Sequence, residues 1–294
     1  IDYDHFKYDM VMGGRRQVGS TIKPFLYALA MQNGMTPCTT LRNVQHSYGG
    51  WTPRNGSHAR YGQQVPLKWA LQHSNNWISA SLITTLGPQQ FVGILHDFGL
   101  NNPDIDRNAT PVLSLGPCEV SVGEMVSAYT AFANGGVRCA PLFVTKIEDS
   151  HGNVIAKFQP LMTEVISEDN SYRMIDMMRA VIDGGTGSRL KGAYGMKGDI
   201  CGKTGTTNSN SDGWFIAFTP ELVSGAWVGG EDRDIHFDTM LHGQGASMAL
   251  PIWTKYMVKV LGDKSLGYDE NETFQLPEGY DPCKDDVNLE GDTH

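Results

Sequence analysis

The run Phe25-Leu26-Tyr27-Ala28-Leu29-Ala30-Met31 is apolar on every side, which predicts a helix through the middle of a core rather than along its surface. Proline is tolerated only near a helix start, so Pro24 places Ser20 in or just before the first turn, and Gly34 supplies a stop. Residues 35–65 are loop-rich, with turn signals from Gly49 to Gly56. Helical spacing returns at about 66–73, 76–86 and 89–98, the last two separated by Gly87-Pro88. Ser121-Val122-Gly123-Glu124 has the spacing of a capping box and predicts a helix running to Asn134-Gly135-Gly136. Alternation at 142–148 and 153–158 around Asp149–Asn153 predicts a hairpin, and a further helix is expected over 168–182.

The pattern then changes to short β-rich segments. Ile200–Thr206, Gly213–Thr219 and Leu222–Gly229 are separated by turn signals and predict three consecutive antiparallel strands. A last helix is expected at about 246–260. From about residue 263 to 294 the chain becomes acidic, with scattered Pro, Gly and Asp, and predicts a poorly ordered tail or linker. Helices together with an antiparallel sheet imply an α+β domain over 1–262, with an all-helical lobe beside a sheet flanked by helices.

Composition changes this picture little. The formal net charge of −9 disfavours a nucleic-acid surface. No stretch reaches the roughly 18–20 apolar residues of a membrane span, so any anchor is expected outside these residues. The five cysteines (Cys38, Cys118, Cys139, Cys201, Cys283) show neither a CxxC pair nor zinc-ligand spacing, and their odd number leaves at least one thiol without an internal partner. The nine histidines include no HExxH, and none is assigned a role.

Three short motifs carry the chemistry. Ser20 and Lys23, three apart at a helix start, share one face, which suits a nucleophile and its base. The serine needs a proton acceptor, and a lysine can serve only if burial or a second cation lowers its pKa. The same spacing also fits a cap and a solvated charge. Ser74-Asn75-Asn76 lies between two helical stretches and can aim a hydroxyl and an amide into one cleft, although both residue types also favour a simple N-cap. Lys203-Thr204-Gly205-Thr206-Thr207 sits on a predicted strand. A nucleotide-binding loop would need a glycine where Lys197 stands and a helix afterwards, so that reading fails. A lysine flanked by hydroxyls suits a carboxylate, and Gly205 permits close approach of another chain.

In this order the three motifs resemble the set shared by class A β-lactamases and penicillin-binding proteins. The flanks narrow the resemblance. Arg16–Pro24, Gly202–Thr207 with Ser211–Phe215, Trp227–Gly230, Ala131–Gly136 and Gly184–Gly187 resemble segments of class A penicillin-binding proteins, so that the likeness covers about residues 13–260. It implies a two-lobed serine transpeptidase fold and a D,D-transpeptidase working through an acyl-serine. By the same resemblance Ser20 is the nucleophile, Lys23 its base and Ser74 a proton relay. Asn76 holds the substrate's peptide amide. Lys203 supplies charge beside Ser74 and the substrate carboxylate, and helps to keep Lys23 neutral. Thr204 and Thr206 meet that carboxylate beside Gly205, while the backbone N–H groups of Ser20 and Thr206 form an oxyanion hole. No metal or organic cofactor is implied. The implied partners are stem peptides ending in D-Ala-D-Ala, β-lactams as inhibitors, and an upstream glycosyltransferase domain with a membrane anchor, at the extracytoplasmic, periplasmic face of the bacterial cytoplasmic membrane.

The family sheet also implies two upstream strands that pair beside 222–229, an edge too apolar to face water bare. Three alternatives share the motifs. A serine β-lactamase would need an E-x-x-x-N for deacylation, and none occurs between Asn76 and Lys203. A D,D-carboxypeptidase would use water as acceptor. A β-lactam-sensing receptor domain would be joined to a transmembrane signalling segment.

Overall fold

The apolar run does form the central helix. In the computed structural model, which describes residues 4, 5 and 7–286, helix α1 (Lys23–Gln32) is buried from Lys23 to Met31. Around it pack α2 (Leu67–Gln72), α3 (Asn76–Leu86), α4 (Pro88–Asp97) and α5 (Val122–Ala133), together with the long α6 (Glu168–Gly184). Phe25 fixes the centre of this lobe. Its ring lies 4.9 Å from Phe98, 5.5 Å from Tyr129 and 5.6 Å from Phe132, the first two edge to face.

Beside the helical lobe stands a three-stranded antiparallel sheet. Its strands β3 (Cys201–Thr206), β4 (Asp212–Phe218) and β5 (Val223–Gly229) lie in the order β5-β4-β3. The central strand is buried on both faces, which is why Trp214-Phe215-Ile216-Ala217-Phe218 reads as continuous apolar sequence. Trp214, Ile216 and Phe218 face the main core, whereas Phe215 and Ala217 pack with Leu250, Trp253 and Met257 of helix α7 (Gly245–Gly262). The sheet is thus covered by α7 on one face and by α5 and α6 on the other. Strand β3 forms one edge, and that edge faces the site.

A small pairing completes the support. Strand β1 (Arg15–Gln17) runs antiparallel to β2 (Glu119–Ser121), with Arg15 opposite Ser121. Ser121 and Glu124 form the expected capping box, and Arg15 reaches Glu124 at 2.7 Å. The segment leading to Ser20 is therefore tied to the start of α5.

The acidic C-terminal segment departs from expectation. Its described part, residues 263–286, packs back onto the domain. A disulfide joins Cys283 to Cys38. Phe274 lies 5.7 Å from Phe218, and its N–H donates to Asp199 at 3.1 Å. Thr36 and Thr39 donate to Asp286. Composition predicted looseness because a few anchors, each far away in sequence, carry the attachment. Cys118 and Cys201 are buried free thiols and Cys139 is a half-buried one. Among the described residues no helix is long and apolar enough to cross a membrane.

Candidate active site

Ser20 sits in a 3₁₀ turn, Gly19–Ile22, that runs directly into α1. The Lys23 N–H donates to the Ser20 carbonyl, so the two side chains are one tight turn apart and nearly eclipsed. Gly19 has φ +53°, and a Cβ there would come within 2.6 Å of the Thr206 carbonyl oxygen. Only glycine fits both demands. Gly205 answers it from the strand, since a Cβ would meet Val18 O and Thr21 Cγ2 at 2.8 Å each. The chain that Gly205 admits is the Ser20 turn itself. Trp214 Nε1 donates to Gln17 O at 2.8 Å and Tyr129 Oη to Thr21 O at 2.6 Å, holding the turn from both ends.

The Ser74 loop resolves the choice between cap and cleft. Asn75 caps α3, its Oδ1 accepting the Ile78 N–H at 3.0 Å, so neither Ser74 nor Asn76 is needed for that task. Ser74 takes φ +53°, a left-handed conformation costly for a non-glycine residue. This turns its hydroxyl toward two lysines. Lys23 Nζ lies 3.3 Å and Lys203 Nζ 3.0 Å from Ser74 Oγ. Lys23 also donates to Ser74 O at 2.7 Å and to Asn76 Oδ1 at 2.6 Å, and Lys203 donates to Thr204 O at 3.0 Å. Asn76 Nδ2 donates to Arg54 O at 2.7 Å.

Both lysines are fully buried. Burial is the main reason that the Lys23 ammonium titrates well below the usual lysine range, and the neighbouring Lys203 charge adds to it. Both routes that a lysine base requires, burial and a second cation, therefore act on Lys23, with desolvation the larger. Burial pushes Lys203 down to about 7. The pair therefore includes an amine that is free to accept a proton near neutral pH.

Two cavities of about 520 and 560 Å³ meet at Ser20, Asn76, Thr206, Thr207 and Asn208. The larger also holds Ser74, Thr204 and Thr186. Thr204 Oγ1 is 2.6 Å from Thr186 Oγ1, and Thr206 Oγ1 accepts the Gly245 N–H at the start of α7 at 3.0 Å. Ser20, Ser74, Asn76, Thr204 and Thr206 thus line one cleft, with Lys23 and Lys203 buried beneath it and Gly205 behind.

Sequence reasoning assigned no task to the buried carboxylate that braces this corner. Asp212 is fully buried and receives Arg16 Nε at 2.7 Å, Thr207 Oγ1 at 2.9 Å, Trp227 Nε1 at 3.1 Å and Arg233 at 3.3 Å. Arg16 and Asp212 both lie in segments singled out for their family flavour, but only their partners 196 residues apart reveal the task. It pins the Thr206-Thr207 turn to the strand that delivers Ser20.

The sequence matches the penicillin-binding protein transpeptidase domain family over residues 6–226. The chain belongs to that family. It is 34% identical over 281 residues to penicillin-binding protein 1A of Aquifex aeolicus, covering 94% of this chain and 36% of the relative. It is 32% identical over 290 residues to penicillin-binding protein 1A of Neisseria meningitidis serogroup A, covering 95% of this chain and 35% of that one. The chain therefore spans about a third of the length of these relatives. The crystal structure of penicillin-binding protein 1A from Haemophilus influenzae superposes with a TM-score of 0.82 at 29% identity, over 94% of this chain and 46% of that chain. As a penicillin-binding protein transpeptidase domain homologous to class A members, the chain has the fold that the motifs implied, with small antiparallel sheets flanked by helices.

Proposed function

We propose that this domain is a peptidoglycan D,D-transpeptidase that cross-links stem peptides ending in D-Ala-D-Ala through an acyl-serine intermediate, and that β-lactams inhibit it by acylating the same serine. The observation that carries the reading is the convergence of two buried lysines on the Ser74 hydroxyl, beneath a cleft that Ser20 lines.

In this reading Ser20 Oγ attacks the carbonyl carbon of the penultimate D-alanine while neutral Lys23 takes its proton. The N–H groups of Ser20 and Thr206 hold the developing oxyanion. The C–N bond then breaks, and the departing amine receives a proton handed on through Ser74, whose contacts with both lysines suit a relay. Lys203, Thr204 and Thr206 hold the terminal carboxylate, and Asn76 holds the substrate's peptide amide. In the second half an amine from a neighbouring stem peptide attacks the ester carbonyl. Its proton returns along the same path, and Ser20 is released as a hydroxyl.

The similarity to penicillin-binding protein 1A relatives supports an upstream glycosyltransferase domain and membrane anchor in the full protein. The Cys38–Cys283 disulfide suits a position outside the reducing cytoplasm, on the periplasmic side of the membrane. The test supplies a donor peptide ending in D-Ala-D-Ala with an amine acceptor. Release of D-alanine together with the acceptor-linked peptide is expected; release with hydrolysed peptide alone would make the enzyme a carboxypeptidase.

A further inference from the structure

We infer that Thr186 is a positioning residue that sets the direction in which the Thr204 hydroxyl donates, and so tunes recognition of the substrate's carboxylate; the inference rests on the proposed reading of the cleft. Thr186 stands in Gly184-Gly185-Thr186-Gly187, just past the end of α6, a segment to which the proposed mechanism gives no part. Its Oγ1 lies 2.6 Å from Thr204 Oγ1, and both residues line the larger cavity.

The segment is built to present that hydroxyl. The Gly185 N–H donates to Val181 O at 3.2 Å and the Gly187 N–H to the same carbonyl at 3.0 Å, folding the chain back over the helix end. A Cβ at Gly185 would collide with the Gln72 carbonyl, and one at Gly187 would come within 2.7 Å of Ile182 Cδ1. The Thr186 N–H donates to that Gln72 carbonyl at 3.1 Å. Gln72 is two residues before Ser74. Thr186 therefore grips the Ser74 loop by its backbone and the lysine strand by its side chain.

The chemistry follows from counting hydrogens. A threonine hydroxyl has one hydrogen and two lone pairs. Two hydroxyls at 2.6 Å share one hydrogen between them, leaving the other free to point elsewhere. When a carboxylate enters, Thr204 must donate to it, which requires Thr186 to donate to Thr204. The chain Thr186 to Thr204 to carboxylate polarises in one direction and strengthens the outer bond. With Thr186 as donor, the Thr204 hydrogen is left free for the carboxylate.

The experiment compares acylation by a penicillin as its free acid and as its methyl ester, which lacks the charge, for the wild-type domain, Thr186→Val, Thr186→Ala and Thr186→Ser. The ratio of free-acid to ester rate constants (kacyl/K) is expected to fall about 3- to 10-fold in Thr186→Val and Thr186→Ala, the worth of one lost hydrogen bond. The loss should lie in K rather than in kacyl, and Thr186→Ser should restore the ratio. A merely structural role would slow both ligands alike and leave the ratio unmoved in either variant, which overturns the inference while leaving the proposed function standing. A wild-type domain that neither ligand acylates would instead overturn the reading of the cleft itself.

Discussion

Lys203 Nζ stands 3.0 Å from Ser74 Oγ, although 129 residues separate them. The contact joins the edge of the sheet to the tip of the helical lobe, and Lys23 meets the same oxygen from α1 at 3.3 Å. Neither lysine can be solvated where it lies, so each has its charge weakened by burial. A serine between two such amines has partners that can both take and give a proton. This arrangement explains why Ser74 is held in a left-handed conformation that ordinary loop packing would avoid.

The lysines predict a pH profile. In the proposed mechanism neutral Lys23 is the active base, and its pKa is lowered, so the acylation rate should rise with pH and level off well below 10.5. Removing Lys203 by Lys203→Ala takes away a positive neighbour and lets water closer to Lys23. Both effects move the rise to higher pH. Lys203 itself, pushed down to about 7, should make the non-covalent affinity for a carboxylate ligand weaken as the pH passes that value from below. Stopped-flow acylation between pH 5 and pH 10.5 checks this; a rate still climbing steeply at the upper limit contradicts it.

Ser74 should show activity and stability changing in different orders. Ser74→Ala and Ser74→Gly both remove the hydroxyl proposed as the proton relay, and each should slow acylation by about 10²-fold or more. Glycine, however, relieves the strain at φ +53° that alanine keeps. Ser74→Gly should therefore be more stable than Ser74→Ala by about 1 kcal/mol in urea denaturation. Equal stabilities would remove backbone strain from the account.

The attached C-terminal segment gives a third expectation. The Cys38–Cys283 disulfide spans 245 residues, and reducing it should cost about 2–4 kcal/mol of stability. Among the described residues none beyond Ala246 lines either cavity of the cleft, so the acylation rate of the reduced, still folded domain should stay near that of the oxidised one. Matched melts and acylation assays with and without reductant test it. A rate that collapses while the fold survives would tie the segment to the cleft.

How much of this was legible beforehand follows from range. The apolar helix at Phe25–Met31, the capping box at Ser121 and the strands around Trp214 are written in local spacing, and the structure has them where that spacing puts them, within a residue or two. The three motifs were legible as a set because their residue types are rare in that order. Their local geometry was not. The cap that competed with a cleft role at Ser74 turned out to be made by Asn75 between the two motif residues. Strands of three residues such as Arg15–Gln17 carry no pattern of their own and exist only through their partner. The Arg16–Asp212 pair and the disulfide join positions 196 and 245 residues apart, and Thr186 meets Thr204 across a turn and a strand edge that no periodicity over their 18-residue separation marks.

The central claim is that Ser20 is the acylated nucleophile in a cleft that does not readily release its acyl group. Intact-mass analysis after exposure to a penicillin, followed over hours and combined with peptide mapping, tests it most directly. The account predicts one adduct of the whole β-lactam, on Ser20, absent in a folded Ser20→Ala variant and persisting for many minutes. An adduct mapped to another residue, an unmodified domain at saturating drug, or penicillin turned over at about 1 s⁻¹ or faster, within the ordinary enzyme range, would contradict it.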